Sequence, residues 1–265
     1  KNIRLLERSN SDREAEMMLK LIFASLITAS LAVYETEILQ MYTQVFHGNA
    51  SFYGTGYSGM CQIPPNSLPH AAQSRNTEPA ALNKPQLYGS LTCGMCLKVT
   101  PNRTLVGHTP LRNEYVYITD VCENCLPGDI DLATNGDGLW SIDIQAVQCP
   151  VQNTNISYKF QGSQEWFIKL QIRNTRFPVT EVQMFQPHSR LWLPLARSLD
   201  GFWEIPDSGH GYERPIQTPF TISMRSPDNQ VINDVIPSIQ NDVVFDGNGV
   251  QFAYNSGLLQ VPFVA

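Results

Sequence analysis

Residues 117–132 read YITDVCENCLPGDIDL and combine a strand, a cysteine-containing loop and two aspartates. The β-rich start predicts a strand that delivers Asp120 at its end, and Asp131 follows after the loop. A carboxyl group at a strand end can act as a general acid if its surroundings raise its pKa. The alternative is that each aspartate serves only as a turn or capping residue.

Short β-rich runs separated by turn clusters surround this stretch, and helical periodicity is nearly absent after residue 40. From residue 157 onward the runs recur about every ten residues, which predicts a β-sandwich. The part before Pro150 has fewer runs, longer loops and all the cysteines, which suits a small barrel stapled by disulfides. The runs are Leu97–Thr100, Tyr115–Thr119, Ile142–Cys149, Ser157–Phe160, Ile168–Arg173, Val179–Phe185, Leu191–Leu195, Phe202–Ile205, Phe220–Met224, Val231–Ile236 and Val250–Tyr254.

Composition sets the limits on function. The chain has 265 residues, 42% of them apolar and 16% charged, which is enough for two folded domains. The formal charge is −6 and no region is basic, so the clustered cations that neutralise phosphates are missing and we expect no nucleic-acid binding.

The N-terminal region predicts export. Residues 17–33, MMLKLIFASLITASLAV, resemble a secretory signal peptide, and we assign residues 1–37 to a leader and signal peptide. A membrane anchor needs about 20 apolar residues, more than this run contains. We therefore expect a secreted protein that leaves the membrane once the signal is removed. The alternative is a buried core helix.

The six cysteines allow two interpretations. Two Cys-x-x-Cys pairs, Cys93/Cys96 and Cys122/Cys125, have the spacing of a four-thiolate zinc site. An oxidising compartment and an even number of cysteines favour three disulfides instead, so we expect no metal. The sequence alone leaves fifteen disulfide connectivities open.

Export also gives meaning to three Asn-x-Ser/Thr sequons. Asn49, Asn102 and Asn155 are the acceptor residues, and they predict glycosylation if the host is eukaryotic. Such sequons also arise by chance.

A glycine-rich segment, NASFYGTGYSG at residues 49–59, is a second candidate for ligand contact. Glycines let the backbone approach a ligand, and Tyr53 and Tyr57 offer flat faces. A phosphate loop is excluded because no lysine follows the glycines. The alternative is a plain glycine-rich turn.

Together these segments resemble expansins and expansin-like proteins. The resemblance rests on ASFYGTGYSGMC, PAALNKPQLYG, CGMCLKV, VYITDVCENCLPGDIDLA, IQAVQCPV and SYKFQGSQEWFIKLQIRNTRFPVTEVQMF, and it covers residues 45–254. It implies an all-β chain: a six-stranded double-psi β-barrel over 45–150, related to family-45 endoglucanases, and an immunoglobulin-like, carbohydrate-binding β-sandwich over 155–265. It also implies a wall-loosening protein that binds cellulose or another β-glucan without hydrolysing it.

The resemblance assigns roles to residues of the barrel. Asp131 matches the essential aspartate, which in the related endoglucanases is the proton donor, and Asp120 matches the strand-end aspartate beside it. Ser51, Tyr53 and Thr55 fall on groove positions that usually carry hydroxyls. Two departures concern the end of this groove: Cys122 replaces an aromatic residue, and the glycine-rich Thr134–Gly138 replaces a helix.

In the second domain, Trp166 and Phe167 match paired platform aromatics. Alternation along Ile168–Arg173 places Lys169, Gln171 and Arg173 outward, so Phe167 faces out and Trp166 faces in unless a bulge or strand start breaks the phase. Trp166 in the sandwich core is therefore the alternative. The third platform position falls near Asp200, which is not aromatic. Phe202 could replace it, and Trp203 is predicted in the core.

The disulfide pairing also follows from the resemblance. It implies Cys61–Cys93 and Cys96–Cys149, and it leaves Cys122–Cys125 as a tight local loop.

Hydrolysis by two carboxylates needs a base or nucleophile opposite the acid. In the related endoglucanases the first barrel strand supplies it, but residues 38–77 contain no Asp or Glu. We therefore predict no hydrolysis. We also expect no cofactor, and a monomer, because an extended glycan-binding face needs no dimer. The alternatives are a glycosidase or lytic transglycosylase that uses Asp131, and a carbohydrate-binding wall protein without loosening activity.

Overall fold

The computed structural model describes residues 34–56, 58–64, 68–73, 77–107, 109, 111, 115–206 and 209–259. The predicted signal peptide at residues 17–33 lies outside these ranges, as do Tyr57 and the C-terminal residues 260–265. Among the described residues, no helix is long and apolar enough to cross a membrane.

The first domain is a closed barrel in which β1, β5, β2, β4, β3 and β6 follow one another around the wall. Two neighbouring pairs, β1–β5 and β2–β4, are parallel, and the other pairs are antiparallel. Two short helices, α2 (His70–Gln73) and α3 (Lys84–Leu87), flank β2. The strands are β1 (Phe46–Phe52), β2 (Thr77–Asn83), β3 (Cys96–Val106), β4 (Tyr115–Cys122), β5 (Ile130–Leu132) and β6 (Leu139–Val147).

The barrel closes around small and branched side chains, which suit the narrow interior of a six-stranded barrel. The sequence did not predict β1, β2 or β5, which are short or rich in Gly, Ala and Pro. The buried interior residues include Ala50, Ala80, Leu82, Leu97, Val99, Val116, Ile118, Ile130, Ile142 and Ile144.

The second domain is a sandwich of two antiparallel sheets. One sheet has the order β10-β9-β13-β14, and the other has the order β11-β12-β8-β7-β15. The strands are β7 (Ser157–Phe160), β8 (Lys169–Arg173), β9 (Glu181–Gln186), β10 (Leu191–Pro194), β11 (Ala196–Arg197), β12 (Trp203–Glu204), β13 (Phe220–Arg225), β14 (Val231–Ile236) and β15 (Val244–Asp246).

The strand predicted at Val250–Tyr254 is wrong. This segment is extended but joins no sheet ladder, because its polar groups bind loops instead: Gln251 accepts the Arg176 N–H at 3.0 Å, and Ala253 donates its N–H to Gln230 at 2.7 Å. Its apolar residue Phe252 is buried in the core, which explains the strand-like sequence.

Residues 34–43 form a helix, α1, that contacts both domains. Residues 34–37 belong to the leader in the sequence-based division, yet Glu35 accepts a hydrogen bond from the Thr180 hydroxyl at 3.0 Å. Tyr42 is buried, with its ring centroid 5.5 Å from that of Phe177, and its carbonyl accepts the Gln145 amide from the barrel at 2.9 Å. The helix therefore ties the start of the barrel to the sandwich.

The six cysteines form three disulfides: Cys61–Cys93, Cys96–Cys149 and Cys122–Cys125. This is the pairing that the resemblance implied. The four-thiolate zinc alternative is wrong, because every thiolate it needs is consumed in a disulfide and no cysteine is free.

Removing Cys96–Cys149 by a double change to alanine should cost about 4 kcal/mol of unfolding free energy, because its loop spans 53 residues. The matched control is the same change at Cys122–Cys125, whose loop spans 3 residues and predicts less than about 2 kcal/mol. Urea unfolding of the three proteins measures both values. Equal losses would show that chain entropy does not set the stabilisation.

The structure corrects the prediction that one face of β8 is exposed to solvent. Alternation predicted that Lys169, Gln171 and Arg173 face solvent, but Gln171 and Arg173 are only 2% exposed. The barrel covers them: the Gln171 amide donates to the Cys61 carbonyl at 2.7 Å. Alternation identifies which residues share a face, but it cannot show that a second domain packs on that face.

β11 and the turn after it add contacts to the same interface. Arg197 donates from Nη2 to the Ser90 carbonyl at 2.6 Å, and Ser90 donates its hydroxyl to the Ser198 carbonyl at 2.8 Å. The barrel therefore contacts the five-stranded sheet, while the four-stranded sheet forms the opposite side of the sandwich.

Candidate functional site

Asp131 lies on β5, where the parallel pairing with β1 sets Ser51 directly opposite it. Residues paired in register on neighbouring strands point to the same side of the sheet, so both side chains share one surface. The Ser51 hydroxyl donates to Asp131 Oδ1 at 2.9 Å, and both residues are half-buried. The carboxyl group is therefore held in place but remains reachable from solvent.

Burial raises the pKa of the Asp131 carboxyl above its usual value. The hydrogen bond from Ser51 opposes this shift, and the nearby negative charge of Asp120 adds to it. The protonated form therefore persists to higher pH than in a free aspartate, which suits a group that donates a hydrogen bond or a proton to a ligand oxygen.

Asp120 lies beside Asp131 at the end of β4. Its Oδ1 accepts backbone N–H groups from Met60 at 2.6 Å and Val121 at 2.8 Å, and its side chain also hydrogen-bonds Tyr53. Burial and then the charge of Asp120 raise the pKa of the Tyr53 hydroxyl, so the phenol stays neutral. Asp120 thus acts as a fixed acceptor that positions the Met60 loop and Tyr53.

A shallow pocket of about 430 Å³ opens at this point and is lined by Tyr53, Ser58, Gly59 and Asp120. Gly59 has a φ of +64°, and a Cβ there would lie 2.3 Å from the Thr119 carbonyl oxygen and 2.7 Å from Asp120 Cβ. Only glycine lets this loop lie directly on the end of β4. The glycine-rich segment was flagged from the sequence, but the particular role of Gly59 was not.

The change Gly59→Ala should therefore displace the loop from Asp120. The matched control is Gly56→Ala, which has an unfavourable φ of +97° but no atom within 4 Å of the added Cβ. Backbone strain should cost each variant about 1–2 kcal/mol, and Gly59→Ala should lose clearly more because of its overlap with backbone. Urea unfolding midpoints test this, and equal midpoints would contradict it.

The glycine-rich segment that begins beside Asp131 carries hydroxyl groups and no carboxylate. Thr55 is exposed beside Tyr53, and Tyr57 lies outside the described ranges. Asp143, a carboxylate on β6, hydrogen-bonds His47 Nδ1 at 2.5 Å and accepts from the Asn102 amide at 2.8 Å. It is therefore engaged away from the Ser51–Asp131 pair.

The glycine-rich Thr134–Gly138 forms a loop rather than a helix. Gly54 donates its N–H to the Thr134 carbonyl at 3.2 Å. Gly136 packs so closely on Phe52 that a Cβ would lie 2.7 Å from the ring. This departure from the expansin pattern thus has its own supporting contacts.

Trp166 is 50% exposed, so its placement in the sandwich core is wrong. β8 begins only at Lys169, and Gln164 and Phe167 form a tight hydrogen-bonded turn before it. Because the strand starts here, the alternation does not extend back to Trp166. This is the exception under which the sequence analysis allowed Trp166 to face out. Phe167 is half-buried, and the Trp166 indole N–H donates to Glu165 at 2.9 Å.

The structure corrects the prediction that Phe202 replaces the third platform aromatic, because Phe202 is fully buried and cannot serve as a surface contact. Lys169 covers it, with Nζ 5.0 Å from the ring centroid and 2.6 Å from Asp200 Oδ2. An ion pair thus occupies the third platform position. Trp203 is buried in the core, as predicted.

The three sequon asparagines stay predictions as glycan acceptors. Asn102 is exposed on β3, whereas Asn49 and Asn155 are half-buried. The Asn155 amide donates to the Gly247 carbonyl at 3.4 Å.

The described residues thus define a two-domain all-β protein with an open polar groove on its barrel and an exposed tryptophan on its sandwich. No family model matches the chain. It is 23% identical over 230 residues to Expansin-YoaJ of Bacillus subtilis, covering 82% of this chain and 89% of that protein.

Two solved structures have the same architecture. The apo Clavibacter michiganensis expansin has a TM-score of 0.61 and 23% identity, covering 80% of this chain and 100% of that one. A mutant of that expansin in complex with cellohexaose has a TM-score of 0.60 and 22% identity over the same shares. The predicted resemblance to expansins is confirmed, and the chain has their double-psi barrel and immunoglobulin-like sandwich.

Proposed function

We propose that the chain is a secreted protein that binds cellulose or a related β-glucan and loosens cell walls without hydrolysis. The observation that carries this proposal is the Ser51–Asp131 pair. It presents a protonatable acid in an open groove, while the neighbouring strand β1 contributes no carboxylate.

The chemistry of the groove supports binding over hydrolysis. A two-carboxylate glycosidase needs a free base or nucleophile roughly 5–9.5 Å from the acid, on the other side of the bond. Asp120 lies beside Asp131, and two backbone N–H groups and Tyr53 occupy its carboxylate. Asp131 can therefore hydrogen-bond or protonate a glycosidic oxygen, but no residue in the described groove is arranged to activate water.

The sandwich supplies the second contact in this proposal. Pyranose rings have flat apolar faces that pack on exposed aromatic rings, and Trp166 with the half-buried Phe167 presents such rings beside β8. The cellohexaose complex of the Clavibacter expansin supports a β-glucan as the ligand class. Secretion, which rests on residues 17–33, and the monomeric state remain parts of the proposal.

The test uses the full chain purified with its disulfides intact. It should sediment with insoluble cellulose and cause creep of wall strips, and it should release no reducing sugar from either. Reducing-end release that disappears in Asp131→Asn would overturn the proposal in favour of a glycosidase or lytic transglycosylase. Sedimentation without creep would leave a carbohydrate-binding wall protein without loosening activity.

A further inference from the structure

The outer face of the four-stranded sheet carries a groove that the proposed function does not use. The groove has a volume of about 300 Å³ and is lined by Glu181, Gln183, Trp192, Ser223, Arg225, Val231 and Asn233. It lies on the side of the sandwich away from the barrel, since the barrel covers the other sheet.

Strand alternation and register build this surface. On β13, Ile222 and Met224 are buried in the core, so Ser223 and Arg225 point outward. Ser223 is paired with Gln183 on one side and with Asn233 on the other, which forms a polar row across three strands. The side chains of Ser223 and Asn233 make no hydrogen bond within the described part of the chain, so their donors and acceptors are available to a ligand.

An aromatic pair borders this row. Trp192 is 38% exposed and lies directly opposite Phe185 in the β9–β10 pairing, with ring centroids 5.1 Å apart. The neighbouring ring supports the indole and fixes its orientation. An exposed, supported tryptophan beside a row of amide and hydroxyl groups is the combination that recognises a sugar ring, which is apolar on its faces and hydroxylated at its edge.

The charges of the groove decide which class of ligand fits. Arg225 Nε donates to Glu181 Oε2 at 2.8 Å, and the Gln183 amide also donates to Glu181. The one cation and the one anion of the lining thus neutralise each other, so the surface has no net charge to attract an acidic polymer. The affinity for an uncharged ligand does not depend on a net charge of the surface, so a neutral ligand fits this groove.

The geometry points to a second glycan-binding surface on the β9–β10–β13–β14 sheet, centred on Trp192 and the Gln183–Ser223–Asn233 row, which takes a single chain of a neutral polysaccharide. It lies on the opposite side of the sandwich from the β8 sheet, so the protein could hold two polymer chains at once. This inference does not depend on wall loosening or on Asp131.

The test is electrophoresis of the full chain in native gels that contain soluble mixed-linkage β-glucan. The background variant carries Trp166→Ala and Phe167→Ala, which removes the platform, and it should still be retarded by the glucan. Adding Trp192→Ala should weaken the remaining affinity about tenfold, the loss expected for one aromatic contact. Asn233→Ala should weaken it severalfold through its lost hydrogen bonds.

The matched control is Val235→Ala, which removes an exposed apolar side chain from the same strand without altering the groove lining. Equal retardation of the Trp192→Ala and Val235→Ala variants would overturn the inference, as would no retardation of the background variant. Stronger retardation by polygalacturonate than by neutral glucan would also overturn it. A wild-type dimer in sedimentation velocity that Trp192→Ala dissociates would instead assign the face to a second copy of the chain.

These outcomes are separable from those of the proposed function. Loss of cellulose sedimentation in the platform variant would test the role of Trp166 and Phe167. The effect of Trp192→Ala is measured in a protein that already lacks both of these rings.

Discussion

Asp131→Asn should lose wall creep by about tenfold or more while the protein stays folded. The change keeps the size and the polar contact to Ser51 but removes the carboxyl group whose raised pKa suits it to donate a hydrogen bond to a ligand. The loss of a hydrogen bond from a carboxyl group to a ligand corresponds to about tenfold or more. Extension of wall strips under constant load measures the effect.

The matched control for this change is Glu123→Gln, which removes one negative charge from the barrel at an exposed ion pair with Lys84. Such surface pairs contribute little, so this variant should retain creep and stability. Equal loss of creep in both variants would mean that barrel charge, rather than the Asp131 acid, matters. Full creep in Asp131→Asn would refute the assigned role.

The pH dependence of the unfolding free energy tests whether the pKa of Asp131 is raised in the folded protein. Because burial raises its pKa above the value of 3.8 for a free aspartate, the native state holds the proton more tightly than the unfolded state. Its favourable contribution is complete below the unfolded pKa and is lost as the pH rises through the folded pKa. Asp131→Asn should therefore be at least as stable as the wild type at pH 7, and its relative stability should fall in acid, as measured by urea unfolding.

Trp166→Ala should weaken binding to insoluble cellulose about tenfold, because it removes the exposed ring of the platform. Phe167→Ala should have a smaller effect on binding, since this ring is half-buried. Depletion isotherms with microcrystalline cellulose give the affinities. Because Trp166 is 50% exposed, Trp166→Ala should change the unfolding midpoint only slightly.

Leu126→Ala is the matched control for the platform. Leu126 is a 71% exposed apolar residue on the barrel, outside the groove and the platform. It should bind cellulose like the wild type. If both variants lose the same affinity, general surface hydrophobicity would explain the binding and the platform assignment would be wrong.

The sequence predicted the sandwich strands better than the barrel strands for a physical reason. Strands such as β13 alternate apolar and polar residues, because one face meets the core and the other meets solvent. β1 and β2 carry Gly, Ala or Pro, β5 has only three residues, and the closure of the barrel rather than local propensity makes them strands. Local pattern could not reveal them.

The candidate site was predictable only in part. The aspartates were evident from their positions around the 117–132 stretch, but the Ser51–Asp131 contact depends on a parallel pairing between residues 80 positions apart. Phe202 is a residue whose role the sequence predicted incorrectly, since it is buried rather than exposed. It follows Gly201 in a turn, where alternation does not apply, and the Lys169–Asp200 pair that covers it comes from two distant segments.

The burial of Gln171 and Arg173 against the barrel has a mechanical consequence. β8 follows directly on the Trp166–Phe167 turn and is hydrogen-bonded to β7 and β12 on its two sides. A pull on a polymer held by that turn would load β8 along its length. The two ladders and the barrel contact would resist this force in shear, so a force applied at the turn would be transmitted to the barrel.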